Sequence, residues 1–367
     1  MAASYEADSI RVLEGLEAVR VRPGMYVGDV HDGSGLHHLI WEVVGNVIDL
    51  HLAGKATRLA LHLDDAGWVE VHDDGPGFPV EIEPRRGVSA LEAIFTTLHA
   101  GATRDGHFPH VHLTSSFLGV GLGPVCALSA ELEVETRTRG QVFRQRFERG
   151  VAVSGLERVG RSQTTGSRVR FRPDAEIFSS TTFDRAAVRE RLHQLAYLNP
   201  MLTVQMDEAI YRERDGLAAL VWAEAEARGA DPSLPILRGT AERDGVRADV
   251  ALAWTEDGAP TLRGFVNQVF TRDGGTHVEG FWEGLRRYLR LPAVEALSES
   301  VFREVFGRGL VAAVHVGLYD PRFGAPTGDR LASPEGRVAA SDVVFRCVQH
   351  RLGHDAPLRR ALLSRLD

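Results

Sequence analysis

A helix-forming stretch with a single polar stripe, followed by an acidic glycine turn, constrains this chain most. Glu42, Asn46 and Asp49 are spaced i, i+4 and i+7, so they lie on one side of an otherwise apolar helix. An unpaired buried polar group costs about 2–7 kcal/mol, so the stripe needs partners. Alone, it predicts a structural hydrogen-bond network or a solvated face. The turn His72-Asp73-Asp74-Gly75-Pro76-Gly77 shifts the interpretation toward a ligand pocket.

The length and composition predict two domains of a globular protein. The chain has 367 residues, 44% of them hydrophobic and 25% charged, and one core rarely serves so long a chain. Its start is polar, and no run of about 18 apolar residues predicts a membrane span. The distant Cys126 and Cys347 favour a reducing compartment. We therefore expect a cytoplasmic protein without a membrane partner.

The charged residues limit the ligands of the chain. A net charge of -8 argues against nucleic acid as its main ligand. Lys55 is the only lysine, which a GC-rich genome explains. As a consequence, no second lysine is available to bind phosphate.

Hydrophobic periodicity predicts two successive α+β domains with a boundary around residues 205–220. Predicted helices cover residues 16–22, 36–53, 89–98, 183–198, 218–228, 278–289 and, as an amphipathic terminal helix, 346–365. Predicted strands cover residues 58–63, 68–72, 132–138, 141–148, 167–172, 246–254, 261–270 and 311–318.

Several collinear motifs resemble the N-terminal ATPase-plus-transducer half of DNA gyrase B and its topoisomerase IV relatives, in the GHKL superfamily. The motifs are Ser4-Tyr5, Ser9-Ile10, Arg22-Pro23-Gly24-Met25-Tyr26-Val27-Gly28, Gly35-Leu36-His37-His38, Glu42-Val43-Val44, Asp73-Asp74-Gly75, Leu98-His99-Ala100-Gly101, Arg272-Asp273-Gly274-Gly275-Thr276-His277 and Asp320-Pro321-Arg322-Phe323. The resemblance implies an α+β fold: a GHKL (Bergerat) α/β sandwich followed by a transducer-like domain of the ribosomal S5 type. It divides the chain into an N-terminal dimerisation arm (1–15), an ATPase-like domain (16–215) and a transducer-like domain (216–367).

The same resemblance implies roles for individual positions. Glu42 matches the general base that activates the attacking water, and Asn46 matches the residue that holds Mg²⁺. Asp73 matches the carboxylate that recognises adenine, and Gly77 allows the base to approach closely. Tyr5, with Ile10 nearby, matches the arm that reaches the partner's nucleotide site in a homodimer.

The phosphate-binding parts of the family depart from this pattern. Ser115 and Ser116 stand where the family has a glycine pair, and Cβ atoms there obstruct a close approach of backbone to phosphate. Phe117 and Leu118 add apolar bulk, while Gly119 and Gly121 remain. Pro124 removes an N–H group near the start of the next helix.

Other departures affect the rest of the pocket. The Gln-Thr-Lys loop of the family reads Pro326-Thr327-Gly328, which removes a γ-phosphate-binding lysine. Pro76 and Thr138 replace arginines, and Gly45 and Leu50 replace carboxylates, so the pocket wall becomes roomier and more apolar. Since phosphoryl transfer depends on positioning and charge neutralisation, we expect ATP hydrolysis to be lost.

The main hypothesis is a pocket repurposed to bind or transform a small molecule other than a nucleotide. Acid–base chemistry such as isomerisation or cyclisation, for example in secondary metabolism, would use Glu42, Asp49 and Asp73. The expected ligand contacts are Asn46, Gly77, Phe78, Phe117, Leu118, Gly119, Gly121 and Ser167. No cofactor or metal is expected, except that weak Mg-ATP binding would place Mg²⁺ at Asn46.

Two alternatives stay open: an ATP-binding regulatory pseudoenzyme, and a decoy that mimics gyrase B for an inhibitor or partner. A homodimer through the N-terminal arm is expected. DNA cleavage is not, since the chain stops where the transducer stops. His107, His110 and His112 could ligate a metal, but a solvated loop is the favoured interpretation.

Overall fold

The computed structural model describes residues 15–98, 120–289, 291–325 and 328–366. They divide into two compact units. The first unit contains residues 15–98, 120–189 and 205–210, and the second unit contains the described residues of 190–204 and 211–366. Each unit contributes a sheet and its covering helices.

The predicted helices and strands are present in the predicted order, and the structure has additional elements between them. The helices are α1 (Glu17–Val21), α2 (Gly24–Val27), α3 (Ser34–Leu52), α4 (Ala90–Thr96), α5 (Leu122–Ala127), α6 (Arg185–Leu198), α7 (Leu217–Glu226), α8 (Thr276–Tyr288), α9 (Pro292–Glu295), α10 (Glu299–Gly307), α11 (Pro334–His354) and α12 (Ala356–Leu363). The strands are β1 (Arg58–Leu63), β2 (Val69–Asp73), β3 (Ser129–Thr138), β4 (Gln141–Glu148), β5 (Val151–Ala152), β6 (Glu157–Arg161), β7 (Gly166–Pro173), β8 (Thr203–Met206), β9 (Ala209–Tyr211), β10 (Leu237–Arg243), β11 (Val246–Trp254), β12 (Thr261–Val266), β13 (Val269–Phe270) and β14 (Leu310–Gly317).

The first sheet has the order β5-β4-β3-β7-β2-β1-β8-β9, with β6 paired to β4. The pairs from β5 to β1 are antiparallel. Side chains alternate between buried and exposed along β1, β3 and β7, as a sheet covered on one face requires. Helix α3 packs against β2 and α5. The turn after β2, at which the sequence predicts a ligand pocket, therefore begins beside α3.

The opposite face of this sheet carries cross-strand ion pairs. Glu133 Oε1 lies 2.6 Å from Arg168 Nη2, and Glu135 Oε2 lies 3.0 Å from Arg144 Nη2. These side chains are part-exposed, so each pair contributes little stability. The charges keep this face in water and leave the apolar face for the helices.

The second sheet has the order β10-β11-β14-β12-β13, and its strands β11 and β14 are largely buried on both faces. On β11, Val250 and Leu252 share a core with α8 and α11. Ala251 and Ala253 share another core with α7. Strands β12 and β14 are parallel, while β11 pairs antiparallel with β10 and β14.

Two predicted elements were wrong in detail. The single strand over residues 261–270 is two strands, because the chain turns at Asn267, whose φ is 53°. The terminal helix over residues 346–365 is interrupted at Asp355, where the Asp355 carboxylate accepts the Leu358 N–H at 3.1 Å and caps α12. Pro357 lies in the first turn of α12, where its missing N–H group leaves no helical hydrogen bond unmade.

Candidate active site

The polar stripe on α3 has the exposure that its spacing predicts. Glu42, Asn46 and Asp49 are half-buried, whereas the intervening Val44 and Ile48 are fully buried. The apolar side of α3 anchors the helix in the core. Its polar side is therefore presented in a fixed orientation.

Both oxygens of the Glu42 carboxylate are engaged. Oε1 lies 3.0 Å from His38 Nε2, one helical turn earlier, and His38 is 3% exposed. Oε2 accepts the backbone N–H of Gly121 at 2.8 Å. Asn46 donates its Nδ2 to the Glu42 carbonyl oxygen at 2.7 Å, so its amide oxygen is the group left to contact a ligand. The Glu42 carboxylate is therefore held by the Gly121 N–H and lies beside the buried His38 ring.

Asp73 ends strand β2 as a half-buried carboxyl group. Its Oδ1 accepts the Gly75 N–H at 2.7 Å, and it also accepts hydrogen bonds from Ser167. The register of β2 on β7 pairs His72 with Arg168 and so brings Ser167 alongside. Burial outweighs these hydrogen bonds and raises the pKa of Asp73 above its ordinary value.

The neighbouring Asp74 has the opposite environment. It is exposed and accepts the backbone N–H groups of Thr57 at 2.8 Å and Arg58 at 2.9 Å. Burial opposes its ionisation, but the hydrogen bonds from Thr57 and Arg58 together lower its pKa below the ordinary value. Two adjacent carboxyl groups therefore differ in protonation tendency, and Asp73 is the one suited to proton exchange.

Thr136 holds the turn that forms one wall of the predicted pocket. The Phe78 N–H donates to Thr136 Oγ1 at 2.7 Å, and Gly77 has a φ of 79°. A Cβ atom on Gly77 would lie 2.7 Å from the same Thr136 oxygen, so only glycine fits. Phe78 packs edge-on against Phe95, with ring centroids 5.3 Å apart. This wall offers an aromatic surface beside the Asp73 turn.

Three features of the described residues bear on the expected phosphate end. Gly121 caps α5, but its N–H already donates to Glu42. Pro124, the third residue of α5, has no N–H to offer. Lys55 is exposed. By contrast, Asp73, Ser167 and Gly77 keep a geometry compatible with a flat hydrogen-bonding base.

Sequence reasoning overlooked His38 and Thr136. His38 precedes Glu42 by four residues, so helical spacing could have paired them. Thr136 reaches the turn only through the β3–β7 pairing, in which it faces Ser167. No local signal in the sequence identifies that contact.

Several predicted residues lie outside the described part of the chain. They are Tyr5, Ile10, Ser115, Ser116, Phe117, Leu118, Gly119, Pro326, Thr327 and the histidines 107, 110 and 112. Within the described ranges, no group of three or more His, Cys, Asp or Glu side chains is arranged to hold a metal ion. No described helix has the length and apolar character to cross a membrane.

The fold and the site define an ATPase-type domain of the GHKL class followed by a transducer-like domain. A family model described as histidine kinase-, DNA gyrase B-, and HSP90-like ATPase matches residues 31–177. A second model, described as DNA gyrase B, matches residues 216–366. The chain belongs to the gyrase B-like family. The predicted fold class is confirmed.

Individual relatives agree with this assignment. The DNA gyrase B protein of Caulobacter vibrioides is 38% identical over 94% of this chain and 45% of its own length. That of Thermotoga maritima is 34% identical over 99% of this chain and 59% of its own. Among solved structures, the 43K ATPase domain of Thermus thermophilus gyrase B in complex with an aminocoumarin matches with a TM-score of 0.80 and 31% sequence identity. That match covers 96% of this chain and 93% of the solved chain. The chain spans about half the length of the curated relatives it matches.

Replacing Asp73 with asparagine is expected to stabilise the protein at pH 8. Because burial raises the folded-state pKa of Asp73, the folded protein is penalised when this group ionises. That penalty is absent below the unfolded pKa, about 3.9, and develops as the pH rises through the folded pKa. The melting temperature of Asp73→Asn, measured by circular dichroism, should exceed that of the wild type at pH 8, with the difference shrinking toward pH 4.

Asp74→Asn is the matched control, for which we expect a change in melting temperature of the opposite sign. The Asp74 pKa is lowered in the folded protein, so its contribution to stability is present above the unfolded pKa and is lost as the pH falls through the folded value. Asp74→Asn should therefore lower the melting temperature at pH 8. Equal destabilisation by both substitutions would contradict the assigned environments.

Proposed function

We propose that this gyrase B-like chain has lost ATP hydrolysis and that the former nucleotide pocket binds or transforms a non-nucleotide small molecule. The observation that carries the proposal is the hydrogen bond from the Gly121 N–H to Glu42 Oε2 at 2.8 Å. A phosphate group at this position would have to displace a carboxylate of its own charge. With Pro124 in the next turn and Lys55 as the only lysine, little positive potential favours that exchange.

The proposed chemistry is proton transfer within the pocket. Glu42 serves as the base, and His38, 3.0 Å away, orients its carboxylate. Asp73, whose pKa burial raises, serves as a proton donor or acceptor on the other wall. Asp49, on the same face of α3, is the third candidate acid–base residue. Two carboxyl groups with different environments suit an isomerisation or cyclisation, in which a proton is removed at one atom and supplied at another.

The ligand itself is proposed to be flat or cyclic and partly apolar. Phe78 supplies an aromatic wall, and the Leu50 side chain packs against Gly75 where the family has a carboxylate on the helix. The amide of Asn46 and the hydroxyl of Ser167 supply hydrogen bonds that orient it. Apolar pockets with a few convergent polar groups are typical of small-molecule sites.

Mg-ATP is expected to produce neither turnover nor substantial stabilisation. We expect phosphate release from the full chain to equal that of Glu42→Ala, because the phosphate anchors are missing. The melting temperature should stay unchanged up to about 10 mM Mg-ATP, since stabilisation scales with ligand concentration over Kd. A panel of cyclic, partly apolar metabolites should contain compounds that raise it, and Glu42→Ala should reduce any associated turnover.

Two results together would overturn the proposal. One is steady Mg-ATP hydrolysis that depends on Glu42. The other is a saturable rise in melting temperature at Mg-ATP concentrations below about 1 mM, the order of typical enzyme KM values. The Thermus thermophilus ATPase region would serve as the positive control in the same assay. Stabilisation by Mg-ATP without turnover would instead support the second candidate.

That second candidate is a regulatory pseudoenzyme that binds ATP without hydrolysing it. The retained arrangement of Asp73, Ser167 and Gly77 at the base-binding end favours it. Its dimerisation is proposed to involve the arm, residues 1–15 with Tyr5 and Ile10. Light scattering should then show an ATP-dependent increase in mass that a Tyr5→Ala variant lacks. The decoy hypothesis has no such support, because Pro76 and Thr138 change the rim at which pocket-directed inhibitors would be held.

A further inference from the structure

The second unit contains a cleft of its own, with a volume of about 380 Å³. It is bounded by the turn before α7 and by parts of β10, β11 and β14. All of its lining residues belong to the described part of the second unit. Small-molecule sites typically have volumes of about 300–1,000 Å³, so the cleft is large enough for a compact ligand.

One carboxylate that lines this cleft, that of Asp249, already has several partners. Asp249 accepts hydrogen bonds from Thr240 Oγ1 at 2.6 Å and from Arg247 Nε at 3.0 Å. Its Oδ2 also lies 3.4 Å from His315 Nδ1. Burial opposes ionisation, but these partners outweigh it and hold the pKa of Asp249 well below its usual range. The carboxylate therefore stays charged, paired and anchored.

The arginine side chains that line the cleft still have donor groups available for a ligand. Arg247 contacts Asp249 through Nε and Nη2, which leaves Nη1 for another acceptor. Arg238 pairs with Asp215 at 2.7 Å, but the two side chains are 66% and 69% exposed. An exposed pair of this kind contributes little and can exchange its partner. Arg214, also exposed, forms no hydrogen bond or ion pair with any described residue.

We propose that this cleft is a second binding site, for a small organic anion with two or more negative charges, such as a phosphate ester. Three guanidinium groups face two carboxylates, both already paired, so the cleft has a surplus of positive charge. Guanidinium forks match phosphate oxygens in a bidentate manner. Arg214, Arg238 and Arg247 bind the anion, and the ion pair with Asp249 holds Arg247 in place.

The geometry favours a small molecule over nucleic acid. A concave cleft encloses a compact ligand, whereas a duplex backbone needs basic groups spread along a surface. The net charge of -8 also opposes a long polyanion. The inference does not depend on the former nucleotide pocket, because no residue of that pocket lines the cleft.

Isothermal titration of the full chain with inorganic pyrophosphate tests the site. We expect saturable binding that Arg214→Gln weakens about tenfold or more, as loss of a charged hydrogen bond predicts. The matched control is Arg243→Gln, because Arg243 is an exposed arginine on β10 that does not line the cleft, and this variant should bind like the wild type. Acetate, with one charge, should give no saturable heat.

Two further measurements test where the anion binds. Asn46→Asp adds a carboxylate to the former nucleotide pocket and should leave pyrophosphate binding unchanged. If Asn46→Asp weakens binding while Arg214→Gln does not, the anion binds elsewhere and the inference is wrong. Tighter binding of a short DNA duplex than of pyrophosphate, with the same loss on Arg214→Gln, would also overturn it, as would the absence of any saturable heat from pyrophosphate.

Discussion

Replacing Gly280 with alanine is expected to lower the free energy of unfolding of the second unit by about 3 kcal/mol. A Cβ atom at this position would lie 2.2 Å from the Arg337 carbonyl oxygen on helix α11. Gly284, one turn further along α8, approaches the Ser341 carbonyl oxygen in the same way, at 2.4 Å. The two glycines thus allow α8 and α11 to pack backbone to backbone. Urea unfolding followed by tryptophan fluorescence measures the effect, since Trp282 is in α8.

Gly353→Ala separates this clash from the general effect of removing a helical glycine. Gly353 is exposed near the end of α11, and a Cβ atom there meets no atom within 4 Å. Alanine at this site should raise stability by about 0.5–1 kcal/mol through its better helix propensity. If Gly280→Ala matched Gly353→Ala, the close contact of α8 with α11 would be refuted.

The second large effect is expected for Gly77→Ala, in the wall of the candidate active site. Alanine would have to adopt a φ of 79° and place its methyl group 2.7 Å from Thr136 Oγ1 and 2.8 Å from the Arg137 carbonyl oxygen. The clash would break the hydrogen bond between Phe78 N–H and Thr136 and move the aromatic wall. We expect a loss of about 2–4 kcal/mol in stability, combining backbone strain with overpacking. Any ligand-induced rise in melting temperature should disappear.

Gly87→Ala isolates the steric part of that effect. Gly87 has a φ of 72° but no atom within 4 Å of its would-be Cβ. Its substitution should cost only the strain of a left-handed alanine, about 1–2 kcal/mol, and should preserve the ligand response. Comparable losses of ligand response in both variants would mean that Gly77 acts through its backbone conformation alone.

Much of the first unit could be predicted from local patterns. The predicted helix over residues 36–53 is α3, Ser34–Leu52, and the predicted strand over residues 58–63 is β1. These elements have strong hydrophobic periodicity, so burial dictates their type.

Strand β10, in the second unit, was overlooked because it lies at the edge of its sheet, and most of its residues are part-exposed or exposed. Edge strands show little apolar alternation.

The first half of α11 was overlooked for a related reason. Gly336, Ala339, Ala340 and Ser341 are buried there, yet small residues carry little hydrophobic signal. They are buried because Gly280 and Gly284 on α8 let the helices approach closely. The spacing G-x-x-x-G was visible in the sequence, but its partner helix lies more than fifty residues away along the chain. Only the tertiary contact explains both halves of the pattern.

The sequence by itself determined the family, the order of most elements and the half-buried stripe of Glu42, Asn46 and Asp49, because these follow from local spacing and motif. Only the tertiary structure decided how the carboxyl groups are used. Glu42 receives a backbone N–H from Gly121, 79 residues away, and Asp73 receives Ser167 through the pairing of β2 with β7. Both contacts join distant segments across a sheet or between helices. A carboxyl group's protonation and its free hydrogen-bonding capacity depend on such neighbours, which local sequence does not specify.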